Sequence, residues 1–257
     1  MDLGADVRGD GPTIVCLPWY SLDAAVSAAA LEPVLAMSGL RRIYVDPPGH
    51  GRTPAGPSDA DGVLKVIEAY ADRVAGPNPY LLAGFSYGGY LAAALTRRRP
   101  DRIGGLLLVC PGTRVRPGDR ELPVPPAEAE PGWLDGVPPE LRKHLHSALG
   151  NRTARTANRI AGLLAAAAPG DPQYLASLRA NGYRLSDEDS RFGYAGPTAV
   201  ITGRQDGIAG YVDQFRALAA YANATYTVLD KAGHYLPFEQ PDAFGVLVRE
   251  WLSRSVK

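Results

Sequence analysis

Short apolar runs alternate with longer segments of mixed polarity in two stretches of the chain. The runs are TIVCLP, RIYVD, YLLAGF and IGGLLLVC between residues 13 and 110, then TAVITG and TYTVLD between residues 198 and 230. Most of these runs are continuously apolar, which is typical of strands that are buried on both faces of a sheet. The pattern therefore predicts six strands of a largely parallel sheet.

The segments between these runs have the length and composition of helices. They cover residues 22–38, 60–75, 87–98 and 210–222, and a final helix is expected close to the end of the chain. Repeated alternation of strand and helix predicts a doubly wound α/β sheet.

Residues 113–196 interrupt this alternation. Their first part, RPGDRELPVPPAEAEPGW, is too rich in proline for regular structure and predicts an extended loop. The segments PPELRKHLHSALG, TARTANRIAGLLAAAA and DPQYLASLRANG then predict three short helices, two of them with a proline near the start and two with a glycine at the end. We expect residues 1–112 and 197–257 to form the α/β core, with 113–196 as a helical insertion.

Composition and charge exclude some classes of partner. Hydrophobic residues make up 46% of the chain and charged residues 21%, as in ordinary globular proteins. The 27 basic and 27 acidic residues create no overall positive field for nucleic acid or anionic lipid. The amino terminus also lacks the pattern of a secretory signal. We expect a cytoplasmic protein with a small-molecule partner and neither a nucleic-acid nor a membrane partner; the oligomeric state is left open.

The two cysteines, Cys16 and Cys110, lie inside apolar runs. This position predicts buried strand residues rather than a disulfide or a thiol nucleophile. The sequence contains no CxxC, HExxH or closely spaced His/Cys cluster, so it predicts no metal site.

Ser86 lies in GFSYGG, between the YLLAGF run and the helix that follows it. The pattern G-x-S-x-G at a strand-to-helix turn is typical of a serine exposed above the edge of a sheet. Gly84 and Gly88 are expected because the turn brings the backbones of strand and helix into contact. The pentapeptide alone also fits a tight turn without chemistry, so a nucleophilic serine requires a base and a group that orients the base.

His234, in GHYLPFEQP after the TYTVLD run, is the preferred base. Of the other histidines, His144 and His146 belong to a predicted surface helix, where solvated side chains are the simpler interpretation. His50 lies in the loop DPPGHGRT, where we favour a structural role.

Asp206, in TGRQDG after the TAVITG run, is the preferred acid, because it would hold the histidine tautomer from the end of another strand. It would also fit as the N-cap of the next helix. Asp230 and Asp46 also follow strands but lack this loop context.

Together these motifs resemble the α/β-hydrolase fold superfamily, in particular its capped, esterase- and lipase-like serine hydrolases. GFSYGG resembles the nucleophile elbow, DPPGHGRT the loop after the fourth strand, TGRQD the acid turn and GHYLPFEQP the histidine loop. The insertion falls where these enzymes carry a helical cap, after the sixth strand. The resemblance thus implies a doubly wound, mostly parallel sheet with a cap, and it is more specific for the fold than for the substrate.

Two departures from the family pattern concern CLPWYS and the amino terminus. Members often have a His-Gly pair where this chain has Pro18 and Trp19. Carried over from the family, the oxyanion donors are the backbone N–H groups of Tyr87 and Tyr20, with Trp19 as the alternative to Tyr20. The short amino terminus predicts seven or fewer strands rather than eight.

The resemblance implies acyl transfer to water on Ser86, without a cofactor. We expect Trp19, Ile208, Tyr235 and Trp133 to contact a moderately hydrophobic ester, lactone or thioester. The same residues are compatible with a C–C bond hydrolase, an amidase or a prolyl aminopeptidase. In the last case, acids among Glu121, Glu128, Glu130, Asp187, Glu188 and Asp189 would hold the substrate ammonium group. A non-catalytic binding protein is a further alternative.

Overall fold

A computed structural model describes residues 1–122 and 128–256 of the chain. Its strands are β1 (Ala5–Arg8), β2 (Thr13–Leu17), β3 (Arg41–Val45), β4 (Tyr80–Phe85), β5 (Ile103–Val109), β6 (Thr198–Gly203) and β7 (Ala224–Leu229). They form one sheet in the order β1-β3-β2-β4-β5-β6-β7, in which β1 is antiparallel to β3 and all other pairs are parallel. The predicted seven-stranded, mostly parallel sheet is confirmed.

The helices are α1 (Ala24–Leu35), α2 (Ala60–Ala75), α3 (Tyr87–Arg98), α4 (Pro139–Ala148), α5 (Ala154–Ala166), α6 (Pro172–Ser177), α7 (Val212–Ala217), α8 (Leu236–Glu239) and α9 (Pro241–Ser255). The predicted helix 22–38 is shorter because Asp23 caps its start by accepting the Val26 N–H. The predicted helix 210–222 is also shorter, since the chain tightens into a 3-10 turn at Leu218–Ala220.

Alternate residues of the central strands pack on opposite faces of the sheet. Leu81, Ala83 and Phe85 of β4 join a cluster that includes residues of α1 and α9. Leu82 of β4 joins a second cluster that includes residues of α2 and α3. All six residues of β4 are buried, which explains why this strand shows no alternation of polarity in the sequence.

The chain between β5 and β6 contributes α4, α5 and α6, and a π-helical turn, Leu178–Gly182, follows α6. Leu145 and Ile160 of α4 and α5 pack into the cluster of α1 and α9, whereas Leu178 and Leu185 pack into that of α2 and α3. The strand before this segment, expected as the sixth, is β5, because the sheet has seven strands. The predicted proline-rich loop lies partly outside the described residues, at 123–127, and the boundaries 113 and 196 stay a prediction.

Because β4, β6 and β7 are parallel, the loops that follow them leave the sheet at the same edge. Ser86, Asp206 and His234 lie in these three loops. Cys16 and Cys110 are both buried and free, as their apolar surroundings predict. Within the described ranges, none of the helices has both the length and the apolar character needed to cross a bilayer.

Candidate active site

Ser86 occupies a strained turn between β4 and α3. Its backbone has φ 51° and ψ −115°, in a region that residues other than glycine rarely adopt. The Ser86 N–H donates to the Val109 carbonyl at 3.0 Å, and the Ser86 carbonyl accepts from Tyr90 and Gly112, both at 3.0 Å. These bonds hold the turn rigidly, so that the half-buried Ser86 side chain stands at the carboxyl edge of the sheet.

The two glycines of the motif leave space for neighbouring backbone. A Cβ atom on Gly84 would lie 2.4 Å from the Gly88 carbonyl oxygen, and one on Gly88 would lie 2.4 Å from the carbonyl oxygens of Leu17 and Pro18. Since any side chain would clash there, glycine is required at both positions, in agreement with the prediction.

His234 joins the serine to the acid. Its Nε2 lies 2.8 Å from Ser86 Oγ and its Nδ1 lies 2.9 Å from Asp206 Oδ2. The Asp206 carboxylate can only accept a hydrogen bond, so the network assigns the imidazole proton to Nδ1 and leaves the Nε2 lone pair toward the serine hydroxyl. Asp206 and His234 are 1% and 3% exposed, which shields both contacts from water.

Asp206 both orients the histidine and caps a turn. Its Oδ1 accepts the backbone N–H groups of Ile208 at 2.8 Å and Ala209 at 2.9 Å, while Oδ2 faces His234. The two roles that the sequence left open, orienting group and local cap, therefore coexist in one carboxylate. The cap fixes the carboxylate in the orientation that its contact with the imidazole needs.

The loop that carries His234 is held by its own backbone. The His234 N–H donates to the Ala148 carbonyl at 2.6 Å, and the Trp19 indole N–H donates to the His234 carbonyl at 3.2 Å. Trp19, predicted as a substrate contact, is 2% exposed and stacks on Phe85 at 4.1 Å between ring centroids. The structure thus gives the Trp19 side chain a supporting position behind the histidine loop.

The backbone N–H of Tyr87 is the first of α3, where no intrahelical acceptor exists. In the described part of the chain, neither this N–H nor that of Tyr20 has a hydrogen-bond acceptor. The two side chains meet edge to face at 5.3 Å between ring centroids. Free N–H groups of this kind are the donors that an oxyanion requires, and the assignment of Tyr20 over Trp19 stays a prediction.

The other residues predicted to contact the substrate differ in how deeply they are buried. Ile208 is half-buried in the loop after Asp206, whereas Tyr235 is 5% exposed and its ring lies 5.8 Å from the His234 ring. Trp133 is 8% exposed and packs with the cluster of α1 and α9. The structure brings Ile208 and Tyr235 close to the loops of Asp206 and His234 and places Trp133 in packed surroundings.

His144 was predicted to be solvated, but it is half-buried and its Nε2 lies 2.9 Å from the Tyr235 hydroxyl. Burial, followed by the nearby charges of His234 and Arg179, lowers the pKa of His144 to about 4. A neutral His144 therefore faces the site from α4. The prediction of a solvated position was wrong because the sequence alone did not show which face of α4 packs toward Tyr235.

Glu239 is a buried residue that the sequence analysis assigned no role in the site. Its Oε2 accepts the N–H groups of Gly150 at 2.8 Å and Asn151 at 2.9 Å, and its Oε1 accepts that of Gly233 at 2.9 Å. One carboxylate thus ties the chain after α4 to the residue that precedes His234. Burial raises the pKa of Glu239 to about 7, although these three N–H groups favour the ionised form.

The rivals for base and acid have other partners. His50 is 1% exposed and its Nδ1 lies 2.9 Å from the Pro48 carbonyl oxygen. Asp46 accepts from the Ala24 N–H and from the Arg52 side chain, and Asp230 accepts from the Gln205 amide. None of these three lies in the hydrogen-bonded chain that leads to Ser86 among the described residues.

Cys110 lies beside Asp206 and His234, so three potential metal-binding atoms are close together. Burial raises the pKa of the Cys110 thiol well above its ordinary value, and the thiol donates to the Gly233 carbonyl at 3.4 Å. The facing atoms of Asp206 and His234 are engaged with each other. A neutral thiol is a poor metal ligand, so this donor set fits a hydrogen-bonded site better than a metal site.

Comparison with known proteins places this geometry in context. A family model described as "Alpha/beta hydrolase family" matches residues 14–245. A pimeloyl-[acyl-carrier protein] methyl ester esterase of Chromobacterium violaceum is 34% identical over 44% of this chain and 42% of that protein. The chain thus matches less than half the length of this relative.

A 2-hydroxy-6-oxononadienedioate/2-hydroxy-6-oxononatrienedioate hydrolase of Cupriavidus pinatubonensis is 28% identical over 86% of this chain and 79% of that protein. Among solved structures, an alpha/beta superfamily hydrolase from Oenococcus oeni has a TM-score of 0.86 and 25% identity, and the match covers 99% of this chain and 97% of that one.

Proposed function

The chain belongs to the alpha/beta hydrolase family, and from this premise we propose that it is a serine hydrolase cleaving a carboxylic ester, lactone or thioester of a moderately hydrophobic small molecule. The observation that carries the proposal is the 2.8 Å contact between Ser86 Oγ and His234 Nε2, with Asp206 behind the imidazole. A serine hydroxyl needs such a base to become a nucleophile at neutral pH.

In the first half-reaction, Ser86 Oγ attacks the substrate carbonyl carbon while its proton passes to His234 Nε2. Asp206 stabilises the imidazolium that forms. The carbonyl oxygen becomes an oxyanion, which the backbone N–H groups of Tyr87 and Tyr20 bind; each donor contributes about 3 kcal/mol in the transition state. His234 then protonates the leaving alcohol or thiol, and the acyl group stays on Ser86.

In the second half-reaction, water attacks the acyl-enzyme. His234 removes a proton from this water and later returns it to Ser86 Oγ as the carboxylic acid leaves. Every proton transfer uses side chains of the chain itself, so the reaction requires no cofactor.

We further propose that residues 113–196 form a cap over Ser86, with the remainder of the chain as the catalytic core. His144 of α4 and Tyr183 after α6 approach the catalytic loops from this segment, through Tyr235 and Tyr87 respectively. A cap that supplies side chains on two sides of the nucleophile would determine which substrates fit.

Five of the six acids that an aminopeptidase could use are engaged elsewhere, which favours an ester over a substrate with a free ammonium group. Asp187 contacts Arg97 and Arg98, Glu188 contacts Arg184, Asp189 contacts Arg114, Glu121 contacts Arg216, and Glu130 accepts the Ala154 N–H. A carboxylate that is already paired with arginine binds an ammonium group weakly.

Two experiments test the proposal. A fluorophosphonate probe should label the wild-type protein and leave Ser86→Ala unlabelled, as measured by intact-protein mass spectrometry. An unlabelled wild type would favour a binding protein without turnover. A panel of p-nitrophenyl esters against proline arylamides then identifies the bond, and cleavage of the arylamides alone would contradict the esterase assignment.

The second candidate is hydrolysis of a C–C bond by the same residues. It is supported by the similarity to the nonadienedioate hydrolase over 86% of this chain. A 2-hydroxy-6-oxo-dienoate should be consumed faster than any ester of the panel if this alternative holds, as followed by loss of its ultraviolet absorbance.

A further inference from the structure

An arginine of the 113–196 segment lies against two tyrosine rings, one of which stacks on the residue that follows the candidate nucleophile. Arg179, in the π-helical turn after α6, has its Cζ 4.3 Å from the centroid of the Tyr20 ring and 5.6 Å from that of Tyr183. Tyr183 stacks on Tyr87 at 4.9 Å between centroids, and Tyr87 follows Ser86. The Tyr183 ring therefore contacts both the guanidinium group and the residue that follows the serine.

A second arginine, Arg120, lies near Tyr183. Arg120 donates to three backbone carbonyl oxygens, one of them that of Ile208 at 2.7 Å. Burial raises the pKa of Tyr183, whereas the charges of Arg179 and Arg120 lower it. Both guanidinium groups thus lie near the Tyr183 hydroxyl.

The acids of this region are already paired with other arginines. The pairs join Arg97 to Asp187, Arg98 to Asp187 and Asp61, Arg114 to Asp189, and Arg184 to Glu188. Within residues 1–122 and 128–256, neither Arg179 nor Arg120 forms an ion pair. The two cations next to the site are thus left without the carboxylate partners that their neighbours have.

The stacking of Arg179 leaves part of its hydrogen-bonding edge available for a ligand. A guanidinium group over an aromatic ring uses its face, and its N–H donors lie in the plane around that face. The Tyr20 and Tyr183 hydroxyl groups lie within reach of this edge and can accept from it, but a guanidinium group has five N–H donors, more than these two hydroxyls use. A carboxylate is the group that such an edge binds with two parallel hydrogen bonds.

The turn that carries Arg179 is fixed by close packing. Leu178 is 1% exposed, and a Cβ atom on Gly182 would lie 2.5 Å from the Asp59 Cα atom. The Tyr20 hydroxyl also donates to the Leu175 carbonyl oxygen in α6. These contacts hold the backbone of Arg179 against the loop of Tyr20, and the Tyr20 and Tyr183 rings position its exposed side chain.

We propose that Arg179, with support from Arg120, binds a carboxylate of the substrate, so that the preferred substrates are esters whose acyl part carries a carboxylate remote from the scissile carbonyl. This inference rests on the proposed function, because it defines the carboxylate by its position relative to the carbonyl that Ser86 attacks. It adds a charge requirement to an otherwise apolar and aromatic surface.

Hydrolysis of two esters of equal chain length tests this requirement. Wild-type protein should have a kcat/KM for monomethyl adipate at least about tenfold above that for methyl hexanoate. Arg179→Gln should remove this preference by raising KM for the adipate ester, since a lost charge-assisted contact corresponds to about tenfold or more in affinity. Arg179→Lys should restore part of it, because a lysine keeps the charge but not the planar fork.

The control removes the same charge from a distant site. Arg249 is exposed on α9, and Arg249→Gln should leave the preference at its wild-type value. Equal preferences in wild type and Arg179→Gln, or no preference in wild type, would overturn the inference.

A binding measurement separates this inference from the proposed function. Titration calorimetry with adipate needs no turnover, and Arg179→Gln should weaken adipate binding about tenfold relative to wild type and Arg249→Gln. Unchanged adipate affinity would refute the carboxylate site even where Ser86 is labelled. Absent labelling of Ser86 would refute the serine hydrolase and leave the adipate result to decide the carboxylate site.

Discussion

The core side and the 113–196 side of the candidate site are held by different forces. On the core side, Ser86, Asp206 and His234 sit on loops fixed by hydrogen bonds of 2.6 to 3.3 Å in which backbone N–H groups donate. On the opposite side, Arg179 is held by contacts with aromatic rings. The second half of the segment is tied to α3 by partly exposed ion pairs such as Asp187 with Arg97.

This contrast separates chemistry from recognition. In the proposed mechanism, the groups that move protons belong to the sheet edge, where a displacement would break several buried hydrogen bonds together. We expect the groups that select among substrates to include side chains of the inserted segment, such as Arg179, where one side chain can change charge or shape without disturbing the loops. Substitutions on the core side should therefore lower kcat, and substitutions on the inserted side should change KM and substrate preference.

Asp206→Asn offers the largest test of this separation. An asparagine amide donates where the carboxylate accepts, so the imidazole would turn to the wrong tautomer and Nε2 would lose its lone pair toward Ser86 Oγ. We expect kcat to fall by about 10³- to 10⁴-fold, with little change in KM. Steady-state hydrolysis of a p-nitrophenyl ester measures both constants.

Asp230→Asn is the matched control, because Asp230 is another acidic residue after a strand and its Oδ1 accepts from the Gln205 amide. An asparagine oxygen still accepts that bond, so kcat should stay at its wild-type value. Equal losses in the two variants would show that Asp206 acts through general stability rather than through His234.

The sequence was sufficient for the sheet because the strands are continuous apolar runs and the motifs follow them. All six runs became strands at the predicted places. The position of β1 was not predicted, because its residues Ala5–Arg8 are half-buried or exposed and lie at the edge of the sheet. Edge strands carry a weak polarity signal, since only one neighbour and one face constrain them.

The order of Ser86, Asp206 and His234 could be predicted because each follows its own strand. Glu239 and His144 could not, because their roles arise from contacts between distant parts of the chain. The Glu239 carboxylate reaches Gly150, which lies 89 positions away, and the His144 ring reaches Tyr235, which lies 91 positions away. The sequence signal for Glu239 was an acid within the histidine loop motif GHYLPFEQP, at the end of α8.

Glu239→Gln probes the boundary between the two sides, since this carboxylate ties the chain after α4 to the histidine loop. A glutamine has one accepting atom in place of two, so an N–H of Gly150, Asn151 or Gly233 would face an amide donor. An unpaired buried donor costs about 1–3 kcal/mol of stability. We also expect kcat to fall about tenfold through displacement of His234.

The pH dependence of stability distinguishes this role from simple packing. Burial raises the pKa of Glu239 to about 7 from an ordinary 4.5, so its contribution to stability is fully present below pH 4.5 and is lost as the pH rises through 7. Glutamine does not titrate. Glu239→Gln should have a lower free energy of unfolding than wild type in acid solution, as measured by urea unfolding. This difference should shrink by up to about 3 kcal/mol between acid solution and pH 8. Glu250→Gln, at an exposed position on α9, should show no such trend.

His144→Gln is the smallest test and examines the inserted side alone. Glutamine can still form a hydrogen bond with the Tyr235 hydroxyl, which lies 2.9 Å from His144 Nε2, so kcat should stay unchanged and KM should change by no more than about threefold.

Burial lowers the pKa of His144 to about 4 from 6.5, so the contribution of His144 to stability is fully present above pH 6.5 and is lost as the pH falls through 4. The free energy of unfolding of His144→Gln should therefore rise relative to that of wild type by up to about 3 kcal/mol as the pH falls from 6.5 through 4. Glu239→Gln should show the opposite trend, since it gains relative stability as the pH rises. Urea unfolding at several pH values measures this, with the exposed His146→Gln as the control from the same helix. A loss of kcat in His144→Gln would show that the inserted segment contributes to the chemical step, which would contradict the assignment of chemistry to the core side and of recognition to the inserted side.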